Sequence, residues 1–360
     1  MTSFLKFYKS EIKSLGSIPL PSSISYMWNF GSLLGICLMI QIFSGLFLTY
    51  RYSSSLEEAF DSVMLMMDDV FWGWTVRLIH CNGASFFFIF IYMHIGRGIY
   101  FGSSSLSKTW LSGLLIFILS MMTAFLGYVL PWGQMSYWGA TVITNLLSSV
   151  PYLGESLVVW IWGGFSISEP TLYRFFSLHF LTPLIIVGVV MSHLIFLHES
   201  GSSNPLGVSP NSDKIWFHPY FSMKDFMGFV VFLIVFMVIV AVCPDLFMDP
   251  DNYTPANPMS TPIHIQPEWY FLFAYAILRS VPSKLGGVVA LVMSIFMFIF
   301  LPLNPVKSRF STFKKLNCLV FFLNFSILSW LGSMPVEEPF SLFSKILSFG
   351  YFIGIFLMLL

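Results

Sequence analysis

Four histidines in two equally spaced pairs are the residues in this sequence that are best suited to do chemistry. His80 and His94 are fourteen residues apart in one apolar segment, and His179 and His193 are fourteen apart in another. Fourteen residues are about 3.9 helical turns, so both members of a pair lie on one helix face, about 21 Å apart along the axis. Since neutral imidazole is a good ligand for iron, two such helices facing each other would hold two metal-centred cofactors at different depths.

The composition indicates that these helices lie in a membrane. The chain has 360 residues, of which 56% are hydrophobic and 9% are charged, whereas soluble domains carry about 25% charged residues. The net charge is zero, which argues against nucleic acid as a partner. We predict an all-α membrane protein with eight transmembrane helices, each near the ~20 residues that a span requires. The predicted spans are residues 28–50, 71–98, 110–130, 171–197, 226–243, 285–301, 316–334 and 346–360, and the last of them is short.

The charges of the loops predict how the helices are oriented. Basic residues such as Lys13, Lys224 and Lys307 fall on the side of the N-terminus, and acidic residues such as Asp245 and Glu337 fall on the opposite side. Because basic loops stay inside, both termini are predicted to face the matrix or the cytoplasm. The second and fourth segments then run parallel, which pairs the first histidine of each near the outer surface and the second of each near the inner surface.

Glycines in the first and third segments repeat the spacing of the histidines. Gly31 and Gly45 are fourteen residues apart, and so are Gly113 and Gly127. Glycine lets a backbone approach a neighbour closely, as a flat macrocycle inside a four-helix bundle requires. Ordinary packing of small residues between membrane helices is the alternative explanation. The agreement of register on four segments favours a bundle that holds two haems.

Two arginines lie next to the histidines on the side nearer to the membrane surface. Arg77 precedes His80 by three residues, and Arg97 follows His94 by three. These positions suit the anionic propionates of a haem, and they equally suit arginines whose side chains extend to the membrane interface.

Two further motifs, together with the histidines and glycines, resemble those of a known family. The resemblance covers nearly the whole chain. Residues 127–134 (GYVLPWGQ) and 267–270 (PEWY) resemble loop motifs of the cytochrome b of ubiquinol–cytochrome c reductase, the respiratory complex III. The resemblance implies a low-potential outer haem b and a high-potential inner haem b. It implies oxidation of ubiquinol in an outer pocket and reduction of ubiquinone in an inner pocket, coupled to proton translocation in a Q cycle. Residues 1–207 would form the di-haem bundle, and residues 208–360 would form the remaining helices.

The resemblance also implies roles for individual residues. Glu268 would accept a proton from quinol beside Tyr128, and His198 and Asp225 would bond to the two carbonyls of the inner quinone. The remaining residues of the outer pocket would be Phe125, Gly139, Ile143, Pro267, Phe271 and Tyr275, and those of the inner pocket Ser202 and Lys224.

The implied partners are a Rieske iron–sulfur protein, a membrane-anchored c-type cytochrome and the other subunits of a homodimeric complex III. The implied location is the mitochondrial inner membrane, with a bacterial plasma membrane as the alternative. Two other function classes remain open at this point. One is the haem-b anchor of a different quinone-linked dehydrogenase, and the other is a non-haem, proton-coupled transporter that uses its intramembrane histidines.

Overall fold

The computed structural model describes residues 16–303 and 311–359, and this part of the chain is mostly helical. Lys13 and Lys307, which contributed to the charge argument, lie outside the described residues. Within them we number twelve α-helices and two short strands. The helices are α1 Phe30–Thr49, α2 Ala59–Asp69, α3 Gly73–Tyr100, α4 Ser107–Val129, α5 Gln134–Asn145, α6 Gly154–Trp162, α7 Glu169–Ser200, α8 Ser222–Val242, α9 Leu272–Ser280, α10 Lys284–Phe296, α11 Thr312–Gly332 and α12 Phe340–Leu359. The strands β1 Pro19–Pro21 and β2 Lys214–Trp216 pair antiparallel.

Eight of the helices in the described residues are long and apolar enough to cross a membrane, which confirms the predicted fold class. They are α1, α3, α4, α7, α8, α11, α12 and the span Lys284–Leu303, in which α10 continues into the 3-10 helix Met297–Leu303. The prediction of a short last helix was wrong, because α12 begins at Phe340 and has 20 residues. Its first turns contain Ser341, Ser344 and Lys345, and these polar residues concealed the start of the helix from a reading of hydropathy.

The four-helix bundle is built from two tightly packed helix pairs. α1 packs along α3, and α4 packs along α7. The core between them includes Leu33, Phe87, Phe117 and Ile186, all of them buried. A second core, which includes Ile277, joins α9 to α11 and α12. The two helix pairs therefore position the predicted histidines.

Two long connections lie on the predicted outer side, one between α4 and α7 and the other between α8 and α9, and they are bonded to each other. Gly133 and Pro255 form an isolated antiparallel bridge, and the backbone N–H of Gln134 donates to the carbonyl of Thr254 at 2.9 Å. The helix α5 lies in the first of these connections. The amphipathic helix α2, between the first two spans, was not predicted.

Candidate functional site

The structure brings the predicted histidine partners together at two depths of the bundle. The ring centroids of His80 and His179 are 6.1 Å apart, and those of His94 and His193 are 6.4 Å apart. With metal–nitrogen bonds of about 2 Å, two imidazoles on opposite sides of one ion have ring centres roughly 6 Å apart. Both pairs therefore have the separation that two axial ligands of one iron require.

Three of the four histidine rings are oriented by a hydrogen bond between Nδ1 and an atom of the adjacent helix. A ring that donates from Nδ1 presents the lone pair of Nε2 to a metal, so these bonds select the tautomer that can bind iron. The bonds join His80 to Ser44 Oγ at 3.0 Å, His179 to the carbonyl of Thr123 at 2.8 Å, and His193 to Ser112 Oγ at 2.9 Å.

The fourth ring has a different partner. Arg97 Nη2 lies 3.2 Å from His94 Nδ1, and the guanidinium lies 5.1 Å from the ring centroid of Trp28. Arginine only donates, whereas a histidine that binds iron through Nε2 carries a hydrogen on Nδ1. We therefore expect Arg97 to turn away when the site is filled. The Nε of Arg97 is buried and has no hydrogen-bond partner among the described residues. A buried donor without a partner is suited to bind an anionic propionate.

Each predicted glycine faces a histidine at the same depth. A Cβ atom on Gly45 would lie 3.1 Å from His80 Cε1, and one on Gly127 would overlap the ring of His179. The inner glycines are similar. A Cβ on Gly31 would lie 3.3 Å from His94 Cε1, and a Cβ on Gly113 would lie 3.1 Å from His193 Cε1. The absence of these Cβ atoms leaves a cradle on both sides of each histidine pair, which is the clearance that a macrocycle requires.

A cavity of about 290 Å³ surrounds the outer histidine pair and continues into the outer loops. Arg77 lines this cavity beside the histidines, and Tyr128 and Glu268 line its loop side. The same cavity thus contains the candidate site for the outer cofactor and the candidate proton acceptor. The residues present fit a haem here, because the cavity combines paired imidazoles, an arginine and glycine clearance.

Glu268 is a buried carboxyl group with two polar neighbours. The pKa of Glu268 is raised to about 7, chiefly by burial and also by the charge of Asp249, whereas the hydrogen bond from Tyr128 and the charge of Arg77 oppose the rise. A carboxyl group with a pKa near neutrality can accept and release protons under physiological conditions.

The other residues expected in the outer pocket do not line this cavity. Gly139 faces open space, since a Cβ there would meet no atom within 4 Å, and Tyr275 donates from its hydroxyl to the carbonyl of Ile265 at 3.1 Å. Phe125 and Phe271 pack against other phenylalanine rings. The residues of this set that lie outside the cavity lining are Phe125, Gly139, Ile143, Pro267, Phe271 and Tyr275.

The residues expected at the inner pocket lie in two groups. Asp225 accepts a hydrogen bond from Ser32 Oγ at 2.7 Å, and Lys224 Nζ donates to the carbonyl of Ile24 at 2.9 Å. His198 is exposed in the last turn of α7, and Ser202 follows that helix. No hydrogen bond or ion pair within residues 16–303 and 311–359 joins these two groups directly. Sequence reasoning missed Ser32, although it directly follows Gly31.

An eight-helix membrane protein with two opposed histidine pairs in one bundle belongs to the class of transmembrane haem-binding electron carriers. The family model for Cytochrome b/b6/petB matches residues 15–201, and that for Cytochrome b(C-terminal)/b6/petD matches residues 255–352. The chain therefore belongs to the cytochrome b family. A solved structure described as "Hyperthermophilic respiratory Complex III" is similar to it, with 32% sequence identity and a TM-score of 0.93 over 100% of this chain and 98% of that chain.

Family membership confirms that the chain is a haem-b protein that transfers electrons in a quinone-linked reaction. It also favours this reading over the two alternatives, a different haem-b anchor and a non-haem transporter.

Proposed function

We propose that this chain is the di-haem core subunit of a ubiquinol–cytochrome c oxidoreductase in the mitochondrial inner membrane. It oxidises ubiquinol at an outer pocket, reduces ubiquinone at an inner pocket and couples the two reactions to proton translocation. The observation that carries the proposal is the presence of two opposed histidine pairs, with centroid separations of 6.1 and 6.4 Å, at two depths of one bundle.

The protein's part in electron transfer is to hold and isolate two redox centres. Each bound haem b would supply reversible one-electron chemistry at its iron. His80 and His179 would hold the outer low-potential haem, and His94 and His193 would hold the inner high-potential haem. Arg77 and Arg97 would neutralise the propionates.

At the outer pocket, Glu268 is the group that accepts a proton from quinol. A quinol releases two protons and two electrons on oxidation, and the Glu268 carboxylate takes one of those protons from a quinol hydroxyl. Tyr128 holds the carboxyl group through its hydrogen bond, and Arg77 stabilises the ionised form before the proton arrives. Because the pKa is about 7, the carboxyl group can then release the proton toward the outer side.

At the inner pocket, Asp225 and His198 bond to the two carbonyls of the quinone and supply protons as it is reduced. Ser32 holds the carboxylate of Asp225 in place. Lys224 lies 5.2 Å from the ring centroid of Tyr26 and contributes a positive charge beside the pocket. Ser202 would complete the polar lining on the side of His198.

The similarity to a Complex III structure supports a place within a multi-subunit membrane complex. The partners that this function requires are a Rieske iron–sulfur protein, which takes the first electron from quinol, and a membrane-anchored c-type cytochrome, which takes it onward. We propose a homodimeric complex with both termini of this chain on the matrix side.

The test is a reduced-minus-oxidised spectrum of the purified complex with a redox titration. The expected result is two b-type bands with different midpoint potentials. His94→Leu removes an axial ligand of the inner haem, so that band is lost and electron delivery to quinone on the inner side stops. His264→Leu, at an exposed loop position, serves as the control and keeps both bands. A colourless wild-type complex contradicts the proposed function, and a His94→Leu variant with both haem signals contradicts the ligand assignment.

A further inference from the structure

Two serines form the same kind of contact with a histidine, one at each depth of the bundle. Ser44 Oγ on α1 lies 3.0 Å from His80 Nδ1, and Ser112 Oγ on α4 lies 2.9 Å from His193 Nδ1. Each serine directly precedes one of the glycines that face the histidines. The outer pair and the inner pair thus have one serine contact each, on different helices.

The direction of these hydrogen bonds follows from the other contacts of the two hydroxyls. Ser44 Oγ lies 2.6 Å from the carbonyl of Ile40, and Ser112 Oγ lies 3.0 Å from the carbonyl of Thr109. A carbonyl only accepts, so each hydroxyl donates its single hydrogen to its own helix. Each serine oxygen therefore accepts a hydrogen bond from the Nδ1–H of the histidine.

A bond accepted from Nδ1–H acts on the metal through the ring. It increases the electron density of the imidazole, and a more electron-rich axial ligand stabilises ferric over ferrous iron. The opposite ligands lack a serine: His179 contacts the carbonyl of Thr123, and His94 contacts Arg97.

We propose that Ser44 and Ser112 are positioning residues that lower the midpoint potentials of the outer and the inner haem, each acting on one haem only. The inference rests on the proposed two-haem function and adds a means by which the difference between the two potentials is adjusted. Because the two serines lie on different helices and at different depths, a substitution at one leaves the ligands of the other haem unchanged.

The experiment is a redox titration of the complete complex that carries Ser44→Ala or Ser112→Ala, followed at the two b-type bands. Ser44→Ala is expected to raise the potential of the outer haem and leave the inner haem unchanged. Ser112→Ala is expected to raise the potential of the inner haem alone. Ser192→Ala is the matched control, since Ser192 adjoins His193 in sequence but donates to the carbonyl of Gly188 at 3.3 Å, and it shifts neither haem.

A pair of variants of equal shape separates the hydroxyl from its packing. Ser44→Thr keeps an oxygen at this position and is expected to keep a potential near that of the wild type, whereas Ser44→Val fills the same space without an acceptor and raises it. Unchanged potentials in both alanine variants and in Ser44→Val, with two bands still present, overturn the inference and leave the proposed function intact. A shift of both haems by either single alanine variant also overturns it. Failure of the proposed function is separate, because it is a wild-type complex without two b-type bands.

Discussion

Glu268 is a buried carboxyl group, and its role as the proposed proton acceptor from quinol depends on its protonation state. Burial raises the pKa of Glu268 from the ordinary 4.5 to about 7. Only the ionised form accepts a proton, and this form is scarce below pH 7 and predominates above it. The rate of quinol oxidation is therefore expected to rise with pH through about 7.

Replacing this carboxyl group tests the pH dependence directly. Glu268→Gln is expected to lower kcat for quinol oxidation by at least about tenfold and to abolish the rise of rate near pH 7, since the amide cannot accept the proton. The measurement is kcat of the complex between about pH 5.5 and 8.5. Glu155→Gln, at an exposed position, should leave the profile unchanged. A persistent rise near pH 7 in Glu268→Gln would assign the proton acceptor to another group.

The site residues that could be predicted from the sequence are those with a regular spacing along the chain. The histidines and glycines repeat every fourteen residues, and the structure brings each to the partner expected from that register. Ser32, Ser44 and Ser112 escaped prediction because a hydroxyl in an apolar helix usually bonds to its own helix carbonyl. Only the three-dimensional structure shows that each also contacts a proposed site residue on another helix.

The helix α3 connects the proposed haem ligands to the loop that carries the proposed proton acceptor. Besides the histidines, it presents Ser85, Phe88 and Tyr92 to the PEWY motif. Ser85 Oγ accepts from Trp269 Nε1 at 3.1 Å, Phe88 stacks on Tyr270 with centroids 4.0 Å apart, and Tyr92 donates from its hydroxyl to the carbonyl of Tyr270. These contacts hold the motif at a fixed height beside the outer histidine pair.

Removing one of these contacts should impair the outer reaction without loss of haem. Tyr92→Phe leaves the carbonyl of Tyr270 without its hydroxyl partner, and one hydrogen bond of this kind contributes about 0.5–1.5 kcal/mol. We expect kcat/KM for quinol oxidation to fall about two- to tenfold, with both b-type bands retained. Tyr50→Phe, at a position that is 80% exposed, is the matched control and should behave as the wild type. Unchanged kinetics in Tyr92→Phe would show that α3 does not position the loop.

The helix α1 offers a direct test of the glycine cradle. Gly45→Val places a branched side chain beside His80, where even a Cβ would lie 3.1 Å from the ring, and should eliminate the outer haem band. Gly35→Val on the same helix meets no atom within 4 Å at Cβ and should keep both bands. The measurement is the haem b content of the purified complex for each band. Equal haem content in the two variants would mean that these glycines serve helix packing alone.

For the whole molecule, hydropathy and loop charge predicted the eight spans, because length and polarity are strong signals in a bilayer. They failed where polar residues stand inside a helix, as at Ser341 and Lys345, and where an amphipathic helix such as α2 has no spanning length. The sequence also gave no sign that Phe232 and Phe236 of α8 share the core of the four-helix bundle. Packing of this kind depends on long-range contacts that a local pattern does not carry.

The proposed orientation of the molecule in its membrane rests on the same loop charges and is open to a sidedness measurement. Tyr152→Cys and Val208→Cys, each in a Cys243→Ser background, place single reporters at exposed positions between α5 and α6 and between α7 and α8. In sealed vesicles with the outer side exposed, a membrane-impermeant thiol reagent should label Tyr152→Cys at once. It should label Val208→Cys only after detergent is added, because the loop that contains Val208 lies on the basic side of the chain. The background variant without a reporter sets the unlabelled level. Labelling of Val208→Cys in intact vesicles would reverse the orientation, and with it would exchange the sides assigned to quinol oxidation and quinone reduction.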